Sequence, residues 1–459
     1  MAATLLSFVC WFLALAASGI PVAAPAAAPL AGGPVRVEGR SLADRGGPFL
    51  GLGVTYMQAL RRCKFDRPRL VSDLEFLGKN GFNYIRVLSM VGRPPYWEGV
   101  EIAPVDFADP KGRRVPAWPD YWQQLRDLID LTAAKGMRTQ VTIFADVQLM
   151  PLKADRLRHL ALLLEALKGR EEKVILLEVA NEAWQNGFPG SAGIADLREF
   201  GKYLADRTAI PVALSATEGA SDASLVEMYR GSAADIATEH FSRDTGTAEE
   251  GWLPVWDCWR AGLIPGIPPV SSNEPIGPGS SVRSEKDPLR LAAAAAFAYI
   301  AGLPMYVFHS SAGVRGLERF EDMSGAGAFA RLRSILPPDL PSWTRNDGRG
   351  PGAPIAVLCG GKPDTCWTEV PGASDGCHSA CGAVKGGRFV ALPLGIRPGG
   401  LEIEARVRVD FEAIDLIDGA VGLRRALAAG ERFRLPPGRG AWILLGTIGG
   451  PPAPKGAKD

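Results

Sequence analysis

Residues 174–184 read Val-Ile-Leu-Leu-Glu-Val-Ala-Asn-Glu-Ala-Trp: a seven-residue apolar run with one glutamate in it, opening abruptly into Asn181-Glu182-Ala183-Trp184. A run of that length reads as a buried strand, with the polar residues at its C-terminal end. Working outward in both directions, the unit recurs. Short apolar strands are expected at 50–54, 84–88, 139–144, 174–180, 212–216, 235–238, 270–273 and 305–308. Longer amphipathic segments lie between them, at 68–80, 121–135, 154–167, 223–230, 251–261, 287–301 and 325–336. Leu70, Leu74 and Leu77 share one face of the first helix, which stops at Gly81; Trp122, Leu125, Ile129 and Thr132 do the same before Gly136. Eight strands alternating with seven such helices fit a (β/α)8 TIM barrel over 49–337 better than an open doubly wound sheet. No Gly-x-Gly-x-x-Gly follows the first strand, so a dinucleotide fold lacks its signature.

Around the barrel the texture changes. Residues 338–352, rich in Pro and Gly, read as a linker, and 353–447 as a small all-β C-terminal domain. Strands are expected there at 355–358, 389–394, 401–409 and 441–445. The third is the clearest, since Leu401, Ile403, Ala405, Val407 and Val409 alternate with charged residues. The last stretch, 448–459, reads as a disordered tail, and 29–48 as a lead-in to the barrel.

Residues 1–28 differ in kind. A nearly continuous apolar run from Leu5 to Ala17 precedes a tract of Ala and Pro, resembling a signal peptide; an uncleaved N-terminal anchor is the other reading. Thirteen residues are short for a membrane span. The expected location is therefore secreted or periplasmic. With Cys10 removed six cysteines remain, and Cys359, Cys366, Cys377 and Cys381 lie close enough in sequence to be stapled by disulfides. A zinc site with His378 is the rival, disfavoured because no paired C-x-x-C is present. Fifty-one basic side chains balance 50 acidic ones without a basic block, which gives no support to nucleic-acid or membrane-surface binding. Neither metal nor cofactor is expected.

In such a barrel the reactive groups stand at the C-terminal ends of the strands. Those ends carry Arg86, Asp146, Asn181-Glu182, Glu239-His240-Phe241-Ser242-Arg243, Asn273-Glu274 and His309. Two carboxylates on different strands suit the cleavage of a glycosidic bond, which needs one carboxyl to donate a proton and one carboxylate to attack or to activate water. Glu182, among apolar and amide groups, suits the acid; Glu274, within reach of Arg86, suits the ionised partner. Arg86 has a second reading, as the partner of Glu178 inside the barrel. Trp184 is the favoured sugar-stacking aromatic among Tyr56, Tyr96, Trp97, Trp118, Trp252 and Trp256. His159 reads as a solvated helix residue.

The segment Glu178-Val179-Ala180-Asn181-Glu182 resembles the strand-four signature of clan A glycoside hydrolases, especially the cellulase-like family 5 group. Gly81-Phe82-Asn83-Tyr84-Ile85-Arg86 resembles the clan's strand two, His240 its strand-six histidine, and Glu274 its strand-seven nucleophile. The resemblance implies a retaining O-glycoside hydrolase with Glu182 as acid/base and Glu274 as nucleophile. It also implies a neutral carbohydrate substrate met by Arg86, Asn181, Trp184, His240, Asn273 and His309. Three positions depart from the pattern: Ala183 stands where proline is usual, Ser242 where an aromatic hydroxyl is expected, and Phe308-His309 where tryptophan is common. These departures motivate the alternative of a catalytically inactive, carbohydrate-binding barrel.

Overall fold

The computed structural model describes residues 30, 32–92, 100–108, 111–217, 221–241, 243, 253–279, 284–348, 352–359, 362–363, 381–393, 401–436 and 442–449. The expected export segment, Tyr96, Trp97, Ser242, Trp252, Cys366, Cys377 and most of the tail lie outside them, as do the side chains of Trp256, Cys359 and Cys381. Cys63 and Cys258 are buried free thiols, so neither takes part in the expected disulfides. No helix among the described residues is long and apolar enough to cross a membrane.

Eight parallel strands form one sheet in the spatial order five-four-three-two-one-eight-seven-six. They are Gly51–Thr55, Tyr84–Leu88, Arg138–Phe144, Val174–Ala180, Val212–Ala213, Ala237–Glu239, Val270–Ser272 and Met305–Phe308, every residue of them buried. The seam between strands five and six is closed by the amides of Asp235 and Ile236, which donate to the Val212 carbonyl at 2.8 and 3.3 Å. This is the expected TIM barrel. Strands five and six are shorter than their apolar runs. Asp235 helps explain the second, because its carboxylate accepts the Val212 amide at 2.9 Å and caps the seam instead of extending a strand.

Two local features escaped the sequence pattern. The helix after strand four, Gly190–Ala205, opens on small residues that blur its period, yet buries Leu197, Phe200 and Leu204. Ahead of Arg67–Lys79 stands a separate short helix, Ala59–Phe65, the two meeting at Asp66. His159 is a correction: it is buried against Tyr121, Trp122 and Phe144, and burial pushes its imidazole down to about 4. Its neighbours Arg156 and Arg158 suggested solvent, but the helix turns its apolar face, His159 included, onto the barrel.

The lead-in is an antiparallel meander, Arg36–Glu38, Ser41–Asp44 and Gly47–Phe49. Val35 and Leu42 pack with Tyr84, Ile175, Ala213, Ile236 and Met305, residues at the starts of barrel strands, and so plug the N-terminal mouth. A buried ion pair, Arg138 to Asp44 at 2.6 Å, pins it. Only the opposite mouth is left for chemistry.

The C-terminal part is two antiparallel sheets. The six-stranded one begins at Thr344–Asn346, inside the stretch read as a linker, and pairs with Cys381–Lys385. In Arg388–Leu392 side chains alternate between two cores: Phe389 and Ala391 face the second sheet, whereas Val390 and Leu392 join the barrel's core. The helix Pro288–Ile300, buried throughout from Leu291 to Ile300, lies between barrel and sheet, which accounts for its length of unbroken apolar sequence. Arg345 fastens the junction by donating to the carbonyls of Trp259 and Ala301 at 3.1 and 2.9 Å.

Candidate active site

Arg86, the third residue of strand two, is completely buried. An unpaired guanidinium there would carry a large desolvation cost. Two carboxylates meet it: Nε and Nη2 donate to Glu178 Oε2 at 3.2 and 3.1 Å, and Nη1 donates to Glu274 Oε1 at 2.8 Å. Both sequence readings of Arg86 therefore describe the same side chain. Nη2 also donates to Asn181 Oδ1 at 2.5 Å, leaving the Asn181 amide nitrogen as the end available to a ligand.

Glu178 forms the floor. Its Oε2 accepts Thr142 Oγ1 at 2.6 Å, from the register partner on strand three, and its Oε1 accepts the side-chain amide of Asn273. Asn273 is thus a support beneath the mouth, with its amide nitrogen spent on Glu178.

At Glu182 the backbone takes φ = +42°, the sole positive φ outside glycine among the described residues. Side chains resist that region, so the turn must be held by its surroundings. The amides of Gln185 and Asn186 donate to the Glu182 carbonyl at 3.0 and 3.2 Å, and the Ala183 amide donates to Ser215 Oγ at 3.1 Å. Proline at 183 would have no N–H to give, which rationalises that departure. The Glu182 carboxylate accepts the Gln185 side-chain amide, and its Oε1 lies 3.1 Å from His240 Nδ1.

Glu274 follows strand seven and is buried. Burial alone would push its carboxyl up, but the charges of His240, Arg243 and Arg86, with His309, hold it well below the usual carboxylate range. Arg243 Nη1 donates to Glu274 Oε2 and to its backbone carbonyl, both at 2.9 Å, while Nη2 lies 3.7 Å from Glu182 Oε1. His240 Nε2 is 3.7 Å from Glu274 Oε1, and His309 Nε2 is 3.9 Å from Oε2. Burial pushes His309 down to about 3, and its Nδ1 sits 2.9 Å from Thr55 Oγ1. An oxygen of Glu182 and one of Glu274 lie within 4.8 Å of each other.

The structure brings Arg86, Asn181, Glu182, His240, Glu274 and His309 together. Trp184 is half-buried and enters none of the bonds that tie the cluster. Tyr56 is no sugar platform: it is buried, and its hydroxyl donates to Asp73 at 2.7 Å. Trp118 packs edge-on against Phe65. Phe308 turns outward onto Phe82 and Phe329. Arg243, assigned no role from sequence beyond its place at a strand end, is tied to Glu274. The signal for it was its place on the same strand end as His240, one position past the missing hydroxyl.

Glu182, His240 and Glu274 offer three ligand atoms close enough together for a cation. Arg86 and Arg243 already donate to the Glu274 carboxylate, and their charge opposes a divalent ion there.

No family model matches the sequence, and no curated protein matches it. Solved structures are. A structure described as a glycoside hydrolase superposes with a TM-score of 0.63 at 12% identity, covering 91% of this chain and 97% of its own. A glycoside hydrolase family 5 structure from Bacteroides vulgatus gives 0.64 at 13% identity, covering 91% and 94%. The expected likeness to family 5 holds as a likeness of fold, over barrel and β domain together.

Proposed function

We propose that this chain is a retaining O-glycoside hydrolase with Glu274 as nucleophile and Glu182 as acid/base. The observation that carries the reading is the approach of the two carboxylates within 4.8 Å across the open mouth. Carboxyl groups about 5–5.5 Å apart suit double displacement, whereas inversion needs roughly 6.5–9.5 Å to admit a water. In the first step a Glu274 oxygen bonds to the anomeric carbon, the glycosidic C–O bond breaks, and the Glu182 proton goes to the departing oxygen. Water then gives a proton to Glu182, its oxygen bonds to the anomeric carbon, and Glu274 leaves as carboxylate.

The substrate read for the site is a neutral glycan. With Glu182 protonated, Arg86 and Arg243 are balanced by Glu178 and Glu274, so no guanidinium is left over for an anionic sugar. Asn181 Nδ2, His240 and Trp184 are the groups placed to meet it. The inactive-barrel alternative is weakened by Arg243, which contacts Glu274 where the expected hydroxyl is missing. Export, with residues 1–28 removed, belongs to the same reading and is supported by the apolar run and small-residue tract there.

The test is a panel of polysaccharides and aryl glycosides, with proton NMR of the first anomer released. Retention is expected, and Glu274→Ala should abolish turnover while leaving a folded protein. Inverted product, or an active Glu274→Ala, would reject the mechanism.

A further inference from the structure

We propose that Arg243 is a shared counter-ion, bound to Glu274 in the free enzyme and passed to Glu182 while Glu274 carries the sugar. The proposal rests on the glycosidase reading above and adds to it a positioning residue.

The groups facing each carboxylate define the case. Glu274 is met by Arg86 from strand two, His240 and Arg243 from the end of strand six, His309 from strand eight and Glu182 from strand four. Glu182 is met by His240, Arg243 and Gln185. Arg86 is divided between Glu178 and Glu274. Among the described residues Arg243 is the guanidinium within 4 Å of both reacting carboxylates, with one arm at 2.9 Å from Glu274 Oε2 and the other at 3.7 Å from Glu182 Oε1. Its side chain keeps 20% of its surface exposed, enough freedom to close the second distance.

Charge conservation gives the geometry its meaning. In the first displacement Glu274 loses its negative charge to the new C–O bond, and Glu182 gains one as its proton departs. A cation tied to Glu274 alone would stabilise the ground state and oppose the step. A cation within reach of both keeps one carboxylate partner throughout. The second displacement reverses the transfer.

The test is a 13C titration of glutamate carboxyls in the full chain, assigned with Glu182→Gln and Glu274→Gln. Glu274→Gln is the neutral mimic of the esterified nucleophile. In that background, Arg243→Gln should raise the Glu182 midpoint by about one pH unit. With Glu274 intact the rise should be smaller, because Arg243 is engaged there. An unmoved Glu182 midpoint in both backgrounds overturns the proposal, and an equal rise in both overturns the transfer. Arg243→Met, neutral and similarly long, carries the same comparison should Arg243→Gln not fold. No substrate is needed, so this outcome is independent of the glycosidase reading, which stands or falls on turnover of 2,4-dinitrophenyl glycosides. On whichever of these the wild type hydrolyses, the second step limits kcat, and Arg243→Gln should move its acid limb upward. A uniform fall in kcat with the limb unmoved is the signature of a merely structural residue, and overturns the assignment.

Discussion

Glu178 Oε2 receives two guanidinium nitrogens of Arg86, at 3.2 and 3.1 Å, with both side chains wholly excluded from solvent. The pair is a support for Glu274, because the third guanidinium nitrogen is aimed at Glu274 Oε1 at 2.8 Å. Removing one member of a buried pair leaves the other charge uncompensated, at a cost of about 3–5 kcal/mol. Glu178→Gln should therefore lower the free energy of unfolding by an amount in that range, and Arg86→Met should lose activity besides. Equilibrium urea unfolding measures the first. A Glu178→Gln protein as stable as wild type would mean that Thr142 and Asn273 suffice to hold the floor.

Glu239 ends strand six, a place the sequence marked without giving the carboxyl a role. Burial pushes it up to about 7, against opposing help from Thr217 Oγ1 at 2.6 Å and the His240 amide at 2.8 Å. A glutamate in the unfolded chain titrates near about 4.3. With the folded value above the unfolded one, its contribution to stability is complete below pH about 4.3 and is lost as pH rises through about 7. Glu239→Gln removes that loss. The variant should gain stability relative to wild type between about pH 5 and 8, read from melting temperatures across the range. A difference that stays flat with pH would place the group's titration outside this window.

What could be read in advance follows from what a sequence period records. Strands such as Val174–Ala180 and Met305–Phe308 are apolar runs bounded by polar residues, and their limits emerge within a residue or two. The catalytic candidates followed, because the ends of a barrel's strands surround its mouth. Interactions closed by the fold were not legible. Arg243 and Glu182 are 61 positions apart by number alone, on strand ends that only the closed barrel brings within 3.7 Å. The positive φ of Glu182 is likewise invisible, since no glycine marks it. Asn273 carries the right amide for sugar binding, but a strand-end residue can face either mouth or floor, and composition does not distinguish them.

His159 gives the opposite pH sign to Glu239. Its imidazole, pressed among Tyr121, Trp122 and Phe144, is pushed down to about 4, whereas an unfolded histidine titrates near about 6.5. The unfolded chain thus binds the proton first, so stability is present above pH about 6.5 and is lost as pH falls through about 4. His159→Phe should blunt the decline of melting temperature over that interval. An unchanged acid slope would show that another group dominates it.

Gly277 lies where the Glu274 loop meets strand eight. A Cβ there would stand 1.6 Å from the His309 carbonyl oxygen, a backbone atom unable to step aside. Gly277→Ala must therefore push the 274–277 turn away from the barrel and draw Glu274 off Arg86. Displacements of an ångström at a reacting group cost about 100-fold in rate. A loss of that order in kcat/KM is expected from a protein that still melts cooperatively. Wild-type kcat/KM in Gly277→Ala would mean that the loop accommodates the methyl without moving the carboxylate.

In the proposed mechanism the proton from Glu182 matters in proportion to how poor the leaving group is. A sugar or simple alcohol departs as an unstable alkoxide unless protonated, whereas 2,4-dinitrophenolate departs unaided. Glu182→Ala should therefore lose nearly all activity on a natural glycan while its first step with the dinitrophenyl glycoside is largely spared. Its second step still lacks the base that takes a proton from water, so product should appear as a burst followed by a slow phase. Azide needs no deprotonation and should enter the vacated space beside His240 and Arg243, speeding that phase and yielding a glycosyl azide of retained configuration. The stereochemistry is the deciding measurement. An azide product of inverted configuration would mean direct attack on the substrate, with Glu274 never bonded to the sugar.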